Sequence, residues 1–556
     1  MNGDDRPDVV RDDQPFWTRA QQQEKTPPCQ AQCPNSGDIR SWLGLIAQRW
    51  KLGLSLEQAC DRAWQKLVER NPLPATLGRI CPHPCEDLCS RGAKDGAVSI
   101  NAMERFVGDW GISRKLSLPT AGNVSCTESI GVVGSGPAGL SFAYQMARRG
   151  YRVTLYEERE QPGGMLRHAI PDYRLPRDVL DAEIQRILDL GVSLVTGIEV
   201  GNDAVFDGLR ARHRLVFLGL GAQSGRKLGI EGEAGPGVVS GIEYLTRRKS
   251  GARIELGRRV LVIGGGNTAI DAARSARRDG AEVTLLYRRS REEMPAEKRE
   301  VEDAEVEGVQ FEFLVAPTRI LRNGSAVTAV EIQRMCLGET DRDGRRRPVA
   351  IPGESFEMAA DTVVAAVSQD PAWRGIPAGV DGRGWLHTMA DGRLAEDIWA
   401  GGDARGPGIA SLAVAQGRLA AEAAHAQLRG EAAPDSQPMS SVVDPLSVKA
   451  DYYDGSQRGH VPRRPHEQWL AEPDREIDQT LTVDEACREA ERCMSCGLCF
   501  GCQQCFMYCN ARGFARVEEP EPGRYYVLAL EACEGCGKCI EVCPCGYLET
   551  REGSAW

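Results

Sequence analysis

From Ile130 onward, short apolar runs alternate with segments of helical period. The runs are IGVVG, VTLYE, LVFLGLG, VLVIGGG, VTLLYRR, TVVAAVS and IWAGG. Such alternation predicts parallel strands joined by crossover helices, an α/β architecture. The chain before this point reads differently. Residues 1 to about 125 show short helical periods, as in the amphipathic stretch Ile39 to Val68, interrupted by Pro72, Pro74, Pro82 and Pro84, and predict an all-helical unit. Residues 431 to 480, rich in Pro, Asp, Ser and Arg without periodicity, read as a linker. A helix then opens at Thr482, which with Glu485 forms the signature of a capping box.

At 556 residues the chain has room for three or four domains, and its 42% hydrophobic and 26% charged composition suits a globular protein. Acidic residues outnumber basic ones, 79 to 68, a net charge of -11 that argues against a nucleic-acid groove or an anionic membrane as partner. No apolar run reaches the roughly 18 residues of a membrane span, and the start MNGDDRPDVVRDD is acidic where a signal peptide is basic and then apolar. A cytoplasmic location is expected. The 20 cysteines change that picture, because all but Cys126 and Cys336 fall in two blocks near the ends. In a reducing compartment, clustered cysteines point to metal or clusters more than to disulfides.

One motif occurs twice. Gly134, Gly136 and Gly139 stand between the strand IGVV and a helix, and Glu157 follows 18 residues after Gly139. Glycines let backbone N–H groups approach a pyrophosphate at the helix start, and the acid bonds an adenosine ribose. The second copy places Gly264, Gly266 and Ala269 at the same spacing, but Tyr287 stands where Glu157 did, followed by Arg288 and Arg289 with Arg291 nearby. Guanidinium groups there suit the 2'-phosphate of NADP, whereas a carboxylate would repel it. The alternative is that YRRSREE is a solvated charged face.

Taken with GGMLRHAIPDYRLP, LGLGAQ, YRRSREEMPA, VVAAVSQDP and AGGDARGP, these motifs over residues 20 to 430 resemble the two-dinucleotide-domain flavoprotein reductases. Within them, the chain is similar to the glutamate synthase small subunit, the NAD(P)H-binding subunit of electron-bifurcating transhydrogenase and the amino-terminal part of dihydropyrimidine dehydrogenase. The resemblance implies FAD at the first motif, with Gly164 and Asp403 also against the flavin, and NADP(H) or NAD(H) at the second. Ser368 stands where the family usually has Gly. Two Rossmann-like three-layer domains follow, FAD on 126–237 and 366–430 and NAD(P)H on 238–365, beside a helical iron-sulfur domain on 1–125.

At the carboxyl end, Cys499, Cys502, Cys505 and Cys509 have the same spacing as Cys533, Cys536, Cys539 and Cys543. This is the spacing of a two-cluster 4Fe-4S ferredoxin, in which the fourth cysteine of each run serves the other run's cluster. Zinc knuckles explain neither the third cysteine nor Pro544. A ferredoxin-like domain is expected on 481–556. The resemblance further implies that Cys33, Cys81 and Cys85 bind one amino-terminal cluster, with Glu104 as an oxygen-bearing fourth ligand. Cys29 and Cys89 are then two ligands short, and Cys493 and Cys496 are two to spare. Either these four share a site, tying the chain ends within one subunit or across a homodimer, or they are ordinary thiols. Three or four clusters are thus expected. Cys545 is an unassigned extra, and Cys60, Cys126, Cys336 and Cys487 are expected as buried small hydrophobes.

The implied activity is electron transfer between NAD(P)H and a one-electron protein partner, a ferredoxin or a sulfite reductase-type enzyme, with no catalytic side chain demanded. His168 and His387 are expected to be structural. The tail resembles that of the NAD(P)H-linked iron-sulfur flavoprotein that works with reverse dissimilatory sulfite reductase. Alternatives are an NADP:ferredoxin reductase of anaerobic aromatic degradation, a glutamate synthase-type donor and a cluster-bearing scaffold without enzymatic activity.

Overall fold

The computed structural model describes residues 17–122, 126–200, 203–252, 254–341, 344–373, 384–432 and 440–553. The acidic start MNGDDRPDVVRDD lies outside them. The amino-terminal part is built on the helices Ile39–Ala47, Leu56–Val68, Pro74–Ile80 and Ile100–Ser113. Ser55 and Gln58 form a capping box that starts the second of these, and Trp42 and Trp64 are fully buried between them. The last two cross at very short range. A Cβ on Gly78 would lie 2.3 Å from the Arg105 nitrogen, and one on Gly108 the same distance from that of Ala75. Only glycine permits this crossing, and it sets Cys81, just past one helix, beside Glu104 on the other.

This part is not purely helical. Strand Trp17–Gln22 pairs antiparallel with Leu548–Gly553, so both ends of the chain close one two-stranded sheet. Neither segment shows its partner in its own periodicity, because the pairing joins opposite ends of the sequence.

The predicted parallel strands are present and divide between two five-stranded sheets. One runs Ile398–Ala400, Leu215–Leu218, Ser129–Val133, Arg152–Tyr156, Ser193–Val195. The other runs Gln310–Phe313, Glu282–Tyr287, Arg259–Ile263, Thr362–Ala365, Val238–Ser240. Every pairing within each is parallel. Helices Pro137–Ala147 and Ala410–Arg429 pack together over the first sheet, where Phe142 stacks on Phe217 with centroids 4.3 Å apart. A three-stranded antiparallel sheet, Val315–Asn323, Ala326–Thr340 and Arg346–Ala359, extends the second unit. Cys336 is exposed on its middle strand, contrary to the expectation of a buried thiol, because it points to the solvated face. Cys60 and Cys126 are buried and Cys487 is half-buried.

Residues 440–480 are a packed strap rather than a loose linker. Trp469 is buried with Tyr173 and Ile477, and Arg463 pairs with Asp303 and Asp478. Glu476 bridges Arg79 and Arg105 of the amino-terminal helices. Isolated anchors, not a repeating apolar face, hold the strap, which is why its periodicity is low. The Thr482–Glu485 capping box is present and begins the helix Val483–Glu491. Among the described residues no helix is long and apolar enough to cross a membrane.

Candidate functional site

A cavity of about 380 Å³ opens at the carboxyl ends of the first sheet and reaches the second unit. Gly134, Gly136, Glu157, Gly164 and Asp403 all line it. Gly164 has φ +53°, and a Cβ there would lie 2.7 Å from the Gly136 Cα, so both glycines leave the space that a pyrophosphate backbone approach requires. On Gly139 a Cβ would meet the Gly134 carbonyl at 1.9 Å, which is how helix and strand pack so closely. Glu157 is buried and accepts the Ser135 backbone N–H at 3.0 Å and the Arg159 N–H at 3.1 Å. Asp403 accepts the Gly408 N–H at 3.0 Å, while burial pushes its carboxyl from 3.8 to about 6.

Other lining groups lie beyond the positions that the glycine spacing singles out. Ile80 and Pro82 reach the cavity from the amino-terminal helices. From the second unit come Asn267, Thr268 and Asp271, and Asp271 accepts Arg174 at 2.8 and 2.9 Å. The pair joins the two nucleotide units at the cavity wall. His168 lines none of it and is held by the Gln161 carbonyl, with its pKa lowered by burial to about 4.

Gly264 and Gly266 precede helix Asn267–Arg278, and Ala269 is fully buried in it. Tyr287 lies against Gly265, where a Cβ would be 2.4 Å from its ring, and its hydroxyl donates to the Glu293 carbonyl at 2.8 Å. The arginines differ sharply. Arg289 is 5% exposed, with its guanidinium donating to Asp341 and to the Arg346 carbonyl, both at 2.8 Å. Arg291 pairs with Glu305, and Arg288 is exposed. Of the expected pair only Arg288 faces solvent, since Arg289 turns inward to a carboxylate just past the end of the strand Ala326–Thr340.

The cysteines gather in four groups. Cys33, Cys81 and Cys85 face one another and Glu104. Cys29 has Cys493, Cys496 and Cys89 as neighbouring thiols. Cys499, Cys502, Cys505 and Cys543 line a single small cavity of about 20 Å³. Cys539 neighbours Cys533, Cys509 and Cys536. Among the described residues no group of three or more His, Cys, Asp or Glu is arranged to hold a single metal ion. Burial first, and then the neighbouring thiols and Glu104, raise Cys81 and Cys505 to about 12. Burial likewise raises Cys493 to about 12 and Glu104 to about 7. Buried thiols packed together in groups, with few cations such as Arg40 and Lys51 beside them, fit a polynuclear iron core, which would supply the positive charge.

The second group depends on the carboxyl-terminal part folding back. Arg40 donates to the carbonyls of Lys25 and Cys496, each at 2.7 Å. Arg492, 1% exposed, bonds the Ala97 and Gly96 carbonyls and Asp95. Glu489 accepts the Ser99 N–H at 2.7 Å. These contacts lay the Cys493–Cys496 turn against Cys89.

Adjacent groups share elements. The Cys81 sulfur is 3.6 Å from the Ser411 hydroxyl, on the helix whose first residue, Ala410, lines the 380 Å³ cavity. Cys29 lies in the short helix Pro28–Gln32 and Cys33 caps its end. Tyr453 has Cys493, Cys496 and Cys502 as neighbours and stacks on Phe500 at 5.8 Å. At the far end Cys536 is exposed, as are Met507 and Tyr508 of helix Gln504–Tyr508.

Residues 128–417 match the family model of the pyridine nucleotide-disulphide oxidoreductases, and residues 19–116 match that of dihydropyrimidine dehydrogenase domain II, 4Fe-4S cluster. The chain is 40% identical over 369 residues to the NADPH-Fe(3+) oxidoreductase subunit beta of Geobacter sulfurreducens, covering 65% of this chain and 54% of that one. It is 40% identical over 371 residues to the NADP(+)-dependent formate dehydrogenase subunit beta of Moorella thermoacetica, covering 62% and 51%. To the glutamate synthase NADPH small chain of Azospirillum brasilense it is 32% identical over 432 residues, covering 73% and 87%. The chain thus spans about half the length of the first two relatives.

Proposed function

The chain belongs to the pyridine nucleotide-disulphide oxidoreductases, and from that premise we propose that it carries electrons between NADPH and a one-electron protein partner. Its cofactors are FAD, NADPH and 4Fe-4S clusters. Bound in the cavity, FAD exchanges a hydride as a two-electron unit, and the clusters take and give single electrons. The chain's own residues do the rest. Residues 126–237 and 366–430 hold FAD through the Gly134–Gly139 turn, Glu157, Gly164 and Asp403. Residues 238–365 hold the nicotinamide nucleotide at Gly264, Gly266 and Ala269, with Arg288 meeting the 2'-phosphate. Asn267, Thr268 and Asp271 bring that unit to the same cavity, so that both nucleotides would meet there.

The observation that carries the reading is the succession of four cysteine groups away from the flavin cavity. Cys33, Cys81 and Cys85 with Glu104 come first, then Cys29, Cys89, Cys493 and Cys496. The groups of residues 481–556 follow, ending at exposed Cys536. Such a relay suits delivery to a ferredoxin or a sulfite reductase-type enzyme. A glutamate synthase-type donor role is supported by the 87% coverage of the Azospirillum small chain. That similarity leaves the ferredoxin-like tail without a use, so the relay reading is preferred. Anaerobic stopped-flow mixing with NADPH tests it. Flavin bleaching should be followed by loss of iron-sulfur absorbance and by NADPH-dependent reduction of added ferredoxin; bleaching with no cluster reduction would reject the relay.

A further inference from the structure

The cavity lined by Cys499, Cys502, Cys505 and Cys543 is lined by a fifth sulfur, that of Cys545. Four ligands complete a cubane, so this thiol is surplus to coordination. Cys545 is 2% exposed, and its sulfur lies 3.8 Å from that of Cys543, within hydrogen-bonding range for sulfur. Its backbone is fixed: the Cys545 carbonyl accepts the Gly497 N–H at 2.6 Å, and the Pro544 carbonyl accepts that of Lys449 at 2.9 Å. The backbone N–H groups of Cys545, Tyr547 and Leu548 also face the Cys543 sulfur. A ligating Cys543 is a thiolate and can only accept, which leaves Cys545 as the donor.

We propose that the Cys545 thiol donates an S–H hydrogen bond to Cys543 and so raises the reduction potential of the cluster held by Cys499, Cys502, Cys505 and Cys543. Hydrogen bonds to ligand sulfur draw off electron density and favour the reduced, more negative cluster. A cation adds to this from the amino-terminal part, where Lys51 donates to the Phe500 carbonyl at 2.8 Å, between Cys499 and Cys502. The cluster becomes an electron sink just beyond the Cys493–Cys496 turn, pulling electrons out of the amino-terminal groups. Cys545 is thus a positioning residue acting through Cys543, and its role rests on the ligand reading given above.

EPR-monitored potentiometric titration of the holoprotein tests this, with iron counted in wild type, Cys545→Ala and Cys545→Ser. The proposal expects full iron in all three, one cluster step moved to more negative potential in the Ala variant, and a smaller move in the Ser variant, whose hydroxyl still donates. Full iron with every step unmoved in Cys545→Ala would overturn it. So would a loss of one cluster's iron in that variant, which would make Cys545 a ligand. Cys499→Ser, run in parallel, tests the underlying reading: iron unchanged there would reject the ligand set itself, and the tuning with it.

Discussion

Arg288 and Arg289 stand side by side after the strand Glu282–Tyr287, yet only the first faces solvent. Successive residues near a strand end point to opposite sides, and the inward one is met by Asp341. Replacing Arg288 by Ala should cost about 1.5 to 3 kcal/mol in NADPH binding, the range for a hydrogen bond to a charged group, and leave NADH binding nearly unchanged. In steady-state kinetics that is a roughly ten- to hundredfold rise in KM for NADPH alone. Equal losses for both coenzymes would reduce Arg288 to surface charge. Arg289→Ala should lower thermal stability more than it alters coenzyme choice, because it removes a buried guanidinium bonded to Asp341 and the Arg346 carbonyl. The glycines and Glu157 were singled out by strict spacing and Asp403 by the family resemblance, and Gly134, Gly136, Glu157, Gly164 and Asp403 line one cavity. The Asp341 contact was not legible in the sequence, since it joins residues 52 apart, each just past a strand end, and no periodicity announces it.

The crossover strands appeared where apolar runs predicted them, because a doubly covered parallel strand must be apolar throughout. The antiparallel sheet of residues 315–359 was missed, its long strands being mostly solvated and charged. One helix contact carries a pH signature. Glu183, on helix Arg177–Leu188, accepts the backbone N–H groups of Ala75 at 2.6 Å and Thr76 at 2.9 Å, in the first turn of the helix that leads to Cys81. Burial pushes its carboxyl from 4.5 to about 7. The native state therefore keeps a proton that the unfolded chain releases, so this stabilisation is full below about pH 4.5 and is lost as pH rises through 7. Melting temperatures of wild type and Glu183→Gln, compared from pH 5 to 7.5, should show a flatter slope in the variant. Parallel slopes would place the titration elsewhere.

Across the whole molecule, the resemblance anticipated the kinds of cofactor, but the sequence left open whether the stray Cys493 and Cys496 did anything. The answer depended on a fold-back that no local pattern encodes: the sheet of Trp17–Gln22 with Leu548–Gly553, the strap, and Arg492 buried against residues 95–97. If Cys29, Cys89, Cys493 and Cys496 hold one cluster, the protein carries roughly 16 irons in four clusters, against about 12 if they are idle. Iron in the anaerobically purified protein, measured for wild type, Cys493→Ser and Cys496→Ser together with NADPH-driven reduction of the tail clusters, decides between them. A continuous relay predicts about 16 irons in wild type, loss of about four in each variant, and flavin that NADPH still bleaches while the tail clusters stay oxidised. About 12 irons in all three proteins, with tail reduction unimpaired, would contradict it.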